Sequence, residues 1–178
     1  MIGPIEFPVF DPTRGDFLDG TRGADTLIAG TGDDLIAASF GDDLLEGGNG
    51  DDILRGSYGN DTLRGDAGRD HLQAGGGDDL LDGGANDDWL RGGWGRDTAH
   101  GGEGDDMVNG GDDNDFVYGD NGADTVIGGN GHDWMEGGNG HDSMVGGDGA
   151  DTLFGGDGHD WMEGNSGRDL LIGDEGND

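Results

Sequence analysis

From Asp25 to Asp178 an aspartate recurs every nine residues without a slip. The eighteen positions are Asp25, Asp34, Asp43, Asp52, Asp61, Asp70, Asp79, Asp88, Asp97, Asp106, Asp115, Asp124, Asp133, Asp142, Asp151, Asp160, Asp169 and Asp178. Two residues after each of the first seventeen stands an apolar residue, from Leu27 and Ile36 to Met162 and Leu171. Two residues before each Asp stands Gly in sixteen of the eighteen cases. The exceptions, Asn86 and Asp113, are residue types that tolerate the left-handed conformation, so this position requires positive φ. The unit is Gly-Gly-x-Gly-x-Asp-x-apolar-x, most regular from Gly128 to Glu163. We number its positions 1 to 9. A fixed short period without insertions restricts the chain to a stack of equal turns.

Glycines make the first six positions a turn, because they reach backbone angles that other residues resist. Positions 7 to 9 make a short strand whose middle side chain faces a core and whose flanking side chains face out. Nine residues are too few to circle a core and return, but eighteen suffice as strand, turn, strand, turn. The expected fold is all-β: two stacked parallel sheets with turns along both edges. One edge collects Asp25, Asp43, Asp61 and every second Asp onward. The other collects Asp34, Asp52, Asp70 and their successors.

Strands stack about 4.8 Å apart, so each edge is a ladder of nine carboxylates. Two such charges about 5 Å apart repel by about 3 kcal/mol at an effective dielectric of 20. A divalent cation between rungs removes the conflict. Calcium takes six to eight oxygens and mixes carboxylates with backbone carbonyls, whereas magnesium demands a near-ideal octahedron. Eight gaps on each of two edges predict up to about 16 calcium ions.

Composition points the same way. The chain carries 41 acidic residues against 8 arginines and no lysine, a formal charge of -33, with 45 glycines in 178 residues. Without a counter-ion this reads as a disordered chain. The charge argues against nucleic acid and anionic membranes as partners and favours cations. No cysteine is present, so neither disulfides nor thiolate metal sites exist. No apolar run is long enough for a membrane-spanning helix.

Residues 1–19 stand outside the repeat and read as an extended N-terminal capping segment with Pro4, Pro8 and Pro12. Residues 20–178 form the repeat domain. Within the leader, Arg14-Gly15-Asp16-Phe17-Leu18 is a degenerate first repeat in the same register. Early repeats are less regular, with Thr21, Ala29, Ala38 and Ser39 where Gly is usual, which predicts weaker sites there.

Motifs for a zinc protease, a serine hydrolase elbow or a phosphate loop are absent. The reading is a non-enzyme with no catalytic residues. His132, His141 and His159 at position 5 read as solvated turn residues. Paired acids such as Asp33-Asp34 and Asp51-Asp52 read as one ligand plus one exposed neighbour. One outer face carries Phe116, Tyr118, Trp134 and Phe154. The other carries Trp89, Trp161 and the column Arg55, Gln73, Arg91, Asn109. Exposed aromatics of this kind mark a contact for a glycan or a protein.

On these eighteen in-register copies, which span nearly nine-tenths of the chain from Gly20 to Asp178, the sequence resembles the RTX (repeats-in-toxin) family, the hemolysin-type calcium-binding nonapeptide repeats. The resemblance implies a right-handed parallel β-roll with eighteen residues per turn and calcium in the edge turns. It implies calcium bound by the position-6 aspartates and glycine carbonyls. Asp133 and Asp151 would bracket one site, with Gly129, Gly131, Gly147 and Gly149 beside them. Asp142 and Asp160 would bracket a neighbouring one, with Gly138, Gly140, Gly156 and Gly158. Family members are typically exported unfolded by one-step (type I) bacterial secretion and fold in external calcium. The roll then serves as the folding module of a secreted protein. Alternatives are the C-terminal module of a secreted protease, lipase or polysaccharide-modifying enzyme, or a free-standing adhesion or matrix protein. The expected state is monomeric or stacked end to end. The stop at Asp178, inside a repeat, reads as a fragment or excised domain.

Overall fold

From Leu18 to Met162 the apolar residues at position 8 face inward, and that single choice sets the architecture. The structure, a computed structural model, describes residues 15–178. Among them are eighteen strands and no helix. In chain order they are β1 (Phe17–Asp19), β2 (Thr26–Thr31), β3 (Leu35–Ala37), β4 (Leu44–Asn49), β5 (Ile53–Tyr58) and β6 (Thr62–Ala67). There follow β7 (His71–Gly76), β8 (Leu80–Ala85), β9 (Trp89–Trp94), β10 (Thr98–Glu103), β11 (Met107–Asp112) and β12 (Phe116–Asn121). The last six are β13 (Thr125–Gly131), β14 (Trp134–Gly140), β15 (Ser143–Gly149), β16 (Thr152–Gly158), β17 (Trp161–Gly167) and β18 (Leu170–Gly176).

Odd strands form one nine-stranded sheet and even strands the other, each in chain order. All pairings are parallel, and every register is an offset of one eighteen-residue turn, as in Val108 beside Val126 and Leu45 beside Leu63. This is the parallel two-sheet β-roll that the period predicts.

The core is a single file between the sheets. Ile36, Leu54, Leu72, Leu90, Val108, Val126 and Met144 come from the odd strands, and Leu45, Leu63, Leu81, Ala99, Val117, Met135 and Leu153 from the even. All are buried. Leu18, Leu27 and Met162 pack against them from the two ends, only partly covered.

The division into a six-residue turn and a three-residue strand is corrected by the structure. Most strands run six or seven residues, from position 7 through position 3 or 4. Alternation along a strand then points position 1 inward as well. Its glycines from Gly47 to Gly155 are buried, and Ala38 and Ala74 fill the same place in the core. The exceptional Ala38 is thus a core residue rather than a damaged turn.

The capping segment expected over residues 1–19 lies mostly outside the described residues. Its last three form β1, which pairs with β3 in the repeat register.

Candidate metal centre

The turns at both edges are built from residues in the left-handed region. At position 4, Asn86 (φ 82°) and Asp113 (φ 80°) adopt the positive φ that their residue types imply. Position 2 makes the same demand, which the sequence reading did not assign. There Ser57, Asp66, Asp120, Asn165 and Asp174 stand at φ 64° to 92°. The signal was present: Asp, Asn and Ser replace Gly at that position more often than β-branched residues do. Two left-handed residues per turn tip successive carbonyls along the roll.

These turns hold the position-6 aspartates in two buried ladders. Each aspartate from Asp25 to Asp160 donates its backbone N–H to Oδ1 of the aspartate one turn onward. On one edge Asp97 donates to Asp115 at 2.8 Å, Asp115 to Asp133 at 2.9 Å and Asp133 to Asp151 at 3.0 Å. On the other Asp106 donates to Asp124, Asp124 to Asp142 and Asp142 to Asp160 at 2.8 to 2.9 Å. Asp169 and Asp178 close the ladders by accepting from Asp151 and Asp160.

Only one oxygen of each carboxylate is satisfied in this way. The Oδ2 atoms of the fifteen aspartates from Asp34 to Asp160 are buried without any hydrogen-bond partner among the described residues. A buried unpaired carboxylate oxygen is costly, and the cost recurs at every rung. It also shows in acidity. Burial pushes Asp88 and Asp115 up to about 8 and Asp52, Asp97 and Asp124 to about 7, from an ordinary 3.8. Desolvation is the first cause, and like charges on neighbouring rungs add to it.

Across several position-1 glycines an orphaned oxygen and a carbonyl lie close to the same point. A Cβ built at Gly128 would lie 2.5 Å from Asp133 Oδ2 and 2.7 Å from the Gly146 carbonyl oxygen. One turn on, a Cβ at Gly146 would lie 2.6 Å from Asp151 Oδ2 and 2.9 Å from the Gly164 carbonyl. At these glycines no side chain stands between the two oxygens.

At position 4 the other carboxylate oxygen comes into play. A Cβ at Gly149 would overlap the Gly131 carbonyl and lie 3.2 Å from Asp151 Oδ1; at Gly158 it would overlap the Gly140 carbonyl, 3.3 Å from Asp160 Oδ1. The position-2 carbonyls of Gly129 and Gly138 lie beneath Gly147 and Gly156 in a separate column. The structure therefore brings Asp133, Asp151, Gly131 and Gly149 to one stretch of edge, and Asp142, Asp160, Gly140 and Gly158 to the other. It adds position-1 carbonyls, such as Gly146 and Gly164, that sequence reasoning missed.

The donor set fits a hard, oxygen-seeking cation: one buried anionic oxygen per turn, backbone carbonyls beside it and no sulfur. Among the described residues no three acidic, histidine or cysteine side chains cluster around one point. The carboxylates are strung out one per rung, and any cation held here draws on several turns and on main-chain oxygens.

Position 5 has a role that sequence alone did not assign. Its side chains accept the backbone N–H of position 5 one turn onward. Asp51 accepts from Arg69 at 3.0 Å and Asn60 from Asp78 at 2.9 Å. The histidines are not merely solvated. Nδ1 of His132 accepts the N–H of Ala150 at 2.8 Å, and Nδ1 of His141 that of His159 at 2.9 Å. This fixes the proton on Nε2 of both rings. The clue was the abundance of Asp, Asn and His, all with an acceptor at the same reach.

Outer-face residues divide. Phe116 and Trp134 are neighbours on β12 and β14, and the Trp134 and Phe154 rings lie 4.8 Å apart. Trp89 and Trp161 belong to β9 and β17, with three strands between them, so they form no common patch. Arg55, Gln73, Arg91 and Asn109 do form one column across β5, β7, β9 and β11.

The family model for the RTX calcium-binding nonapeptide repeat (4 copies) matches at residues 13–45, 46–81, 55–90, 64–99, 91–126, 109–144, 118–153, 127–162 and 145–178. Comparison with curated proteins gives no match.

Proposed function

Since the chain belongs to the RTX calcium-binding nonapeptide repeat family, we propose that it folds by taking up calcium between successive turns along both edges, up to about 16 ions. Position-6 aspartates would supply the charged oxygens, with Gly131, Gly140, Gly149 and Gly158 among the carbonyl donors. The position-1 carbonyls join them. The observation that carries this reading is the run of fifteen buried Oδ2 atoms without a partner. A single file of core residues with one apolar side chain per nine residues gives little burial to offset such a cost. Bound calcium supplies the positive charge that each orphaned oxygen lacks.

The role that follows is structural. The chain is a module whose folding is switched by calcium, and the setting that fits is outside the cell, where millimolar calcium matches weak, numerous sites. A folding module of a secreted bacterial protein is the reading that joins these points. Cysteine-free composition agrees, since calcium replaces disulfides as the staple. No helix among the described residues is long and apolar enough to cross a membrane.

The test is a calcium titration followed by far-ultraviolet circular dichroism, with magnesium as the comparison and equilibrium dialysis to count bound ions. A coil signal in chelator that becomes β-type with calcium and not with magnesium is the expected result. A chain with full β signal in chelator, or one ion bound instead of many, defeats the proposal.

A further inference from the structure

We propose that the outer face of the odd sheet between β5 and β11 is a binding groove for an extended, carboxylate-bearing polysaccharide. The inference rests on the calcium-folded roll of the preceding section, since the groove exists only once the turns have stacked.

The groove has two walls and a floor. One wall is the position-9 column Arg55, Gln73, Arg91, Asn109. The other is the position-3 column, where Tyr58 and Trp94 project with 53% and 61% of their surface exposed. Phe40 stacks on Tyr58 at 5.1 Å and stiffens that end. Between the two rings stands Gly76, and Trp94 leans across it, 3.5 Å from where a Cβ would be. The floor is formed by small position-1 and position-2 residues, so the space between the walls stays open. Its volume is about 530 Å³, within the size range of ligand pockets.

Charge is the second observation. Arg64, Arg69 and Arg96 are each spent on an acidic partner one turn back. Among the described residues Arg55 and Arg91 have no such partner, although the chain carries an excess of 33 negative charges. They stand two rungs apart on one column with Gln73 between. The one acid on the lining, Asp112, lies at the far end and accepts an N–H from the Asn130 side chain at 2.6 Å. A guanidinium fork matches a carboxylate in two-point contact, and two forks at a fixed spacing match a polymer with repeated carboxylates.

Aromatic rings and planar amides select a sugar over a peptide. Tyr58 and Trp94 offer flat faces for the apolar faces of pyranose rings. Gln73 and Asn109 offer paired donors and acceptors for hydroxyls. A peptide would add as a strand to a sheet edge, yet on this face the strand backbones are already paired to both sides. From Arg55 to Asn109 the column spans three rung steps, about 14 Å, enough for several linked sugars along the roll axis.

The experiment is isothermal titration calorimetry of the calcium-loaded chain with a pentamer of galacturonic acid. Cellopentaose and a glutamate pentapeptide serve as neutral and peptide comparisons. Circular dichroism is recorded on the same samples. Binding of the uronate alone is expected, weakened about tenfold or more by the Arg55→Gln, Arg91→Gln pair and by Trp94→Ala. A β signal without uronate binding overturns the groove and leaves the calcium reading standing. Equal binding of the peptide, or undiminished binding by the arginine pair variant, also overturns it. A chain that gains no β signal in calcium overturns both.

Discussion

Asp51 and Asp52 are adjacent in sequence and hold opposite turns of the roll. Asp51 Oδ1 accepts the N–H of Arg69, one turn onward, and Asp52 Oδ1 accepts the N–H of Asp34, one turn back. Asp51 is exposed and its Oδ2 takes an ion pair from Arg69 at 2.9 Å. Hydrogen bonds from Arg69 hold its pKa below the ordinary carboxylate range. Asp52 is 0% exposed, its Oδ2 is unpaired and burial pushes it up to about 7. One of the pair is satisfied by protein alone; the other keeps a buried oxygen with no hydrogen-bond donor among the described residues.

The first prediction separates them. Asp52→Ala removes a ladder oxygen and strands the Asp34 N–H, so the calcium needed for half-maximal β signal rises clearly. Asp51→Ala shifts it only slightly. Asp52→Asn keeps an acceptor for Asp34 while removing charge. If it behaves like Asp52→Ala, the charge matters; if it behaves like wild type, Asp52 serves as a backbone cap alone. Calcium titrations of the three variants decide the matter.

Acidity gives the second. In the unfolded chain the ladder carboxylates ionise near their ordinary 3.8, whereas in the roll Asp88 and Asp115 ionise near 8 and Asp52, Asp97 and Asp124 near 7. Over that interval the metal-free roll keeps protons that the unfolded chain has released. Stability from these groups is fully present below about 4 and is lost as pH rises from there through 7 to 8. In chelator the β signal is therefore stronger at pH 5 than at pH 8. With calcium the order reverses, because the cation competes with protons for the same oxygens. Circular dichroism at both pH values, with and without calcium, reads the two signs. The same order in both conditions contradicts the prediction.

Backbone handedness gives a third. Gly149 stands at φ 152° and a Cβ there would overlap the Gly131 carbonyl. Gly149→Ala is expected to destabilise the roll by more than the 1–2 kcal/mol that left-handed backbone alone costs, roughly. Asn86→Gly is expected to be neutral or to stabilise by up to about 1 kcal/mol, since its φ of 82° is already left-handed. Urea midpoints in saturating calcium measure both.

The core gives a fourth. Leu90 is fully buried among neighbours one rung either side. Leu90→Ala should cost about 2–5 kcal/mol. Hydrogen exchange should show the loss concentrated in β7, β9 and β11, because each rung packs mainly on the next. Uniform loss along the roll would contradict this.

The register, the two sheets, the inward file of Leu, Val and Met, and both aspartate ladders were legible because each depends on a strict period. Asn86 and Asp113 told of positive φ through their rarity. Less legible was anything set by neighbours eighteen residues away in the outer columns. His141 looked solvated because its acceptor role needs His159 stacked on the next turn, rings 5.2 Å apart. Position 1 looked like turn, since glycine gives no hydrophobic signal even where it lies inside. Trp89 and Trp161 share a sheet face but stand too many rungs apart to meet, a distance that composition does not reveal.

The alternation of strands between sheets gives the chain a parity. Any nine-residue insertion or deletion preserves both aspartate ladders, because every repeat brings the same Asp and the same turn. It also sends every downstream side chain to the opposite face. Nine residues lost between Gln73 and Arg91 would leave the aspartate-lined edges intact and carry Arg91 and Trp94 away from Arg55 and Tyr58. Edges of the roll can thus lengthen or shorten in nines, while its faces tolerate only eighteens.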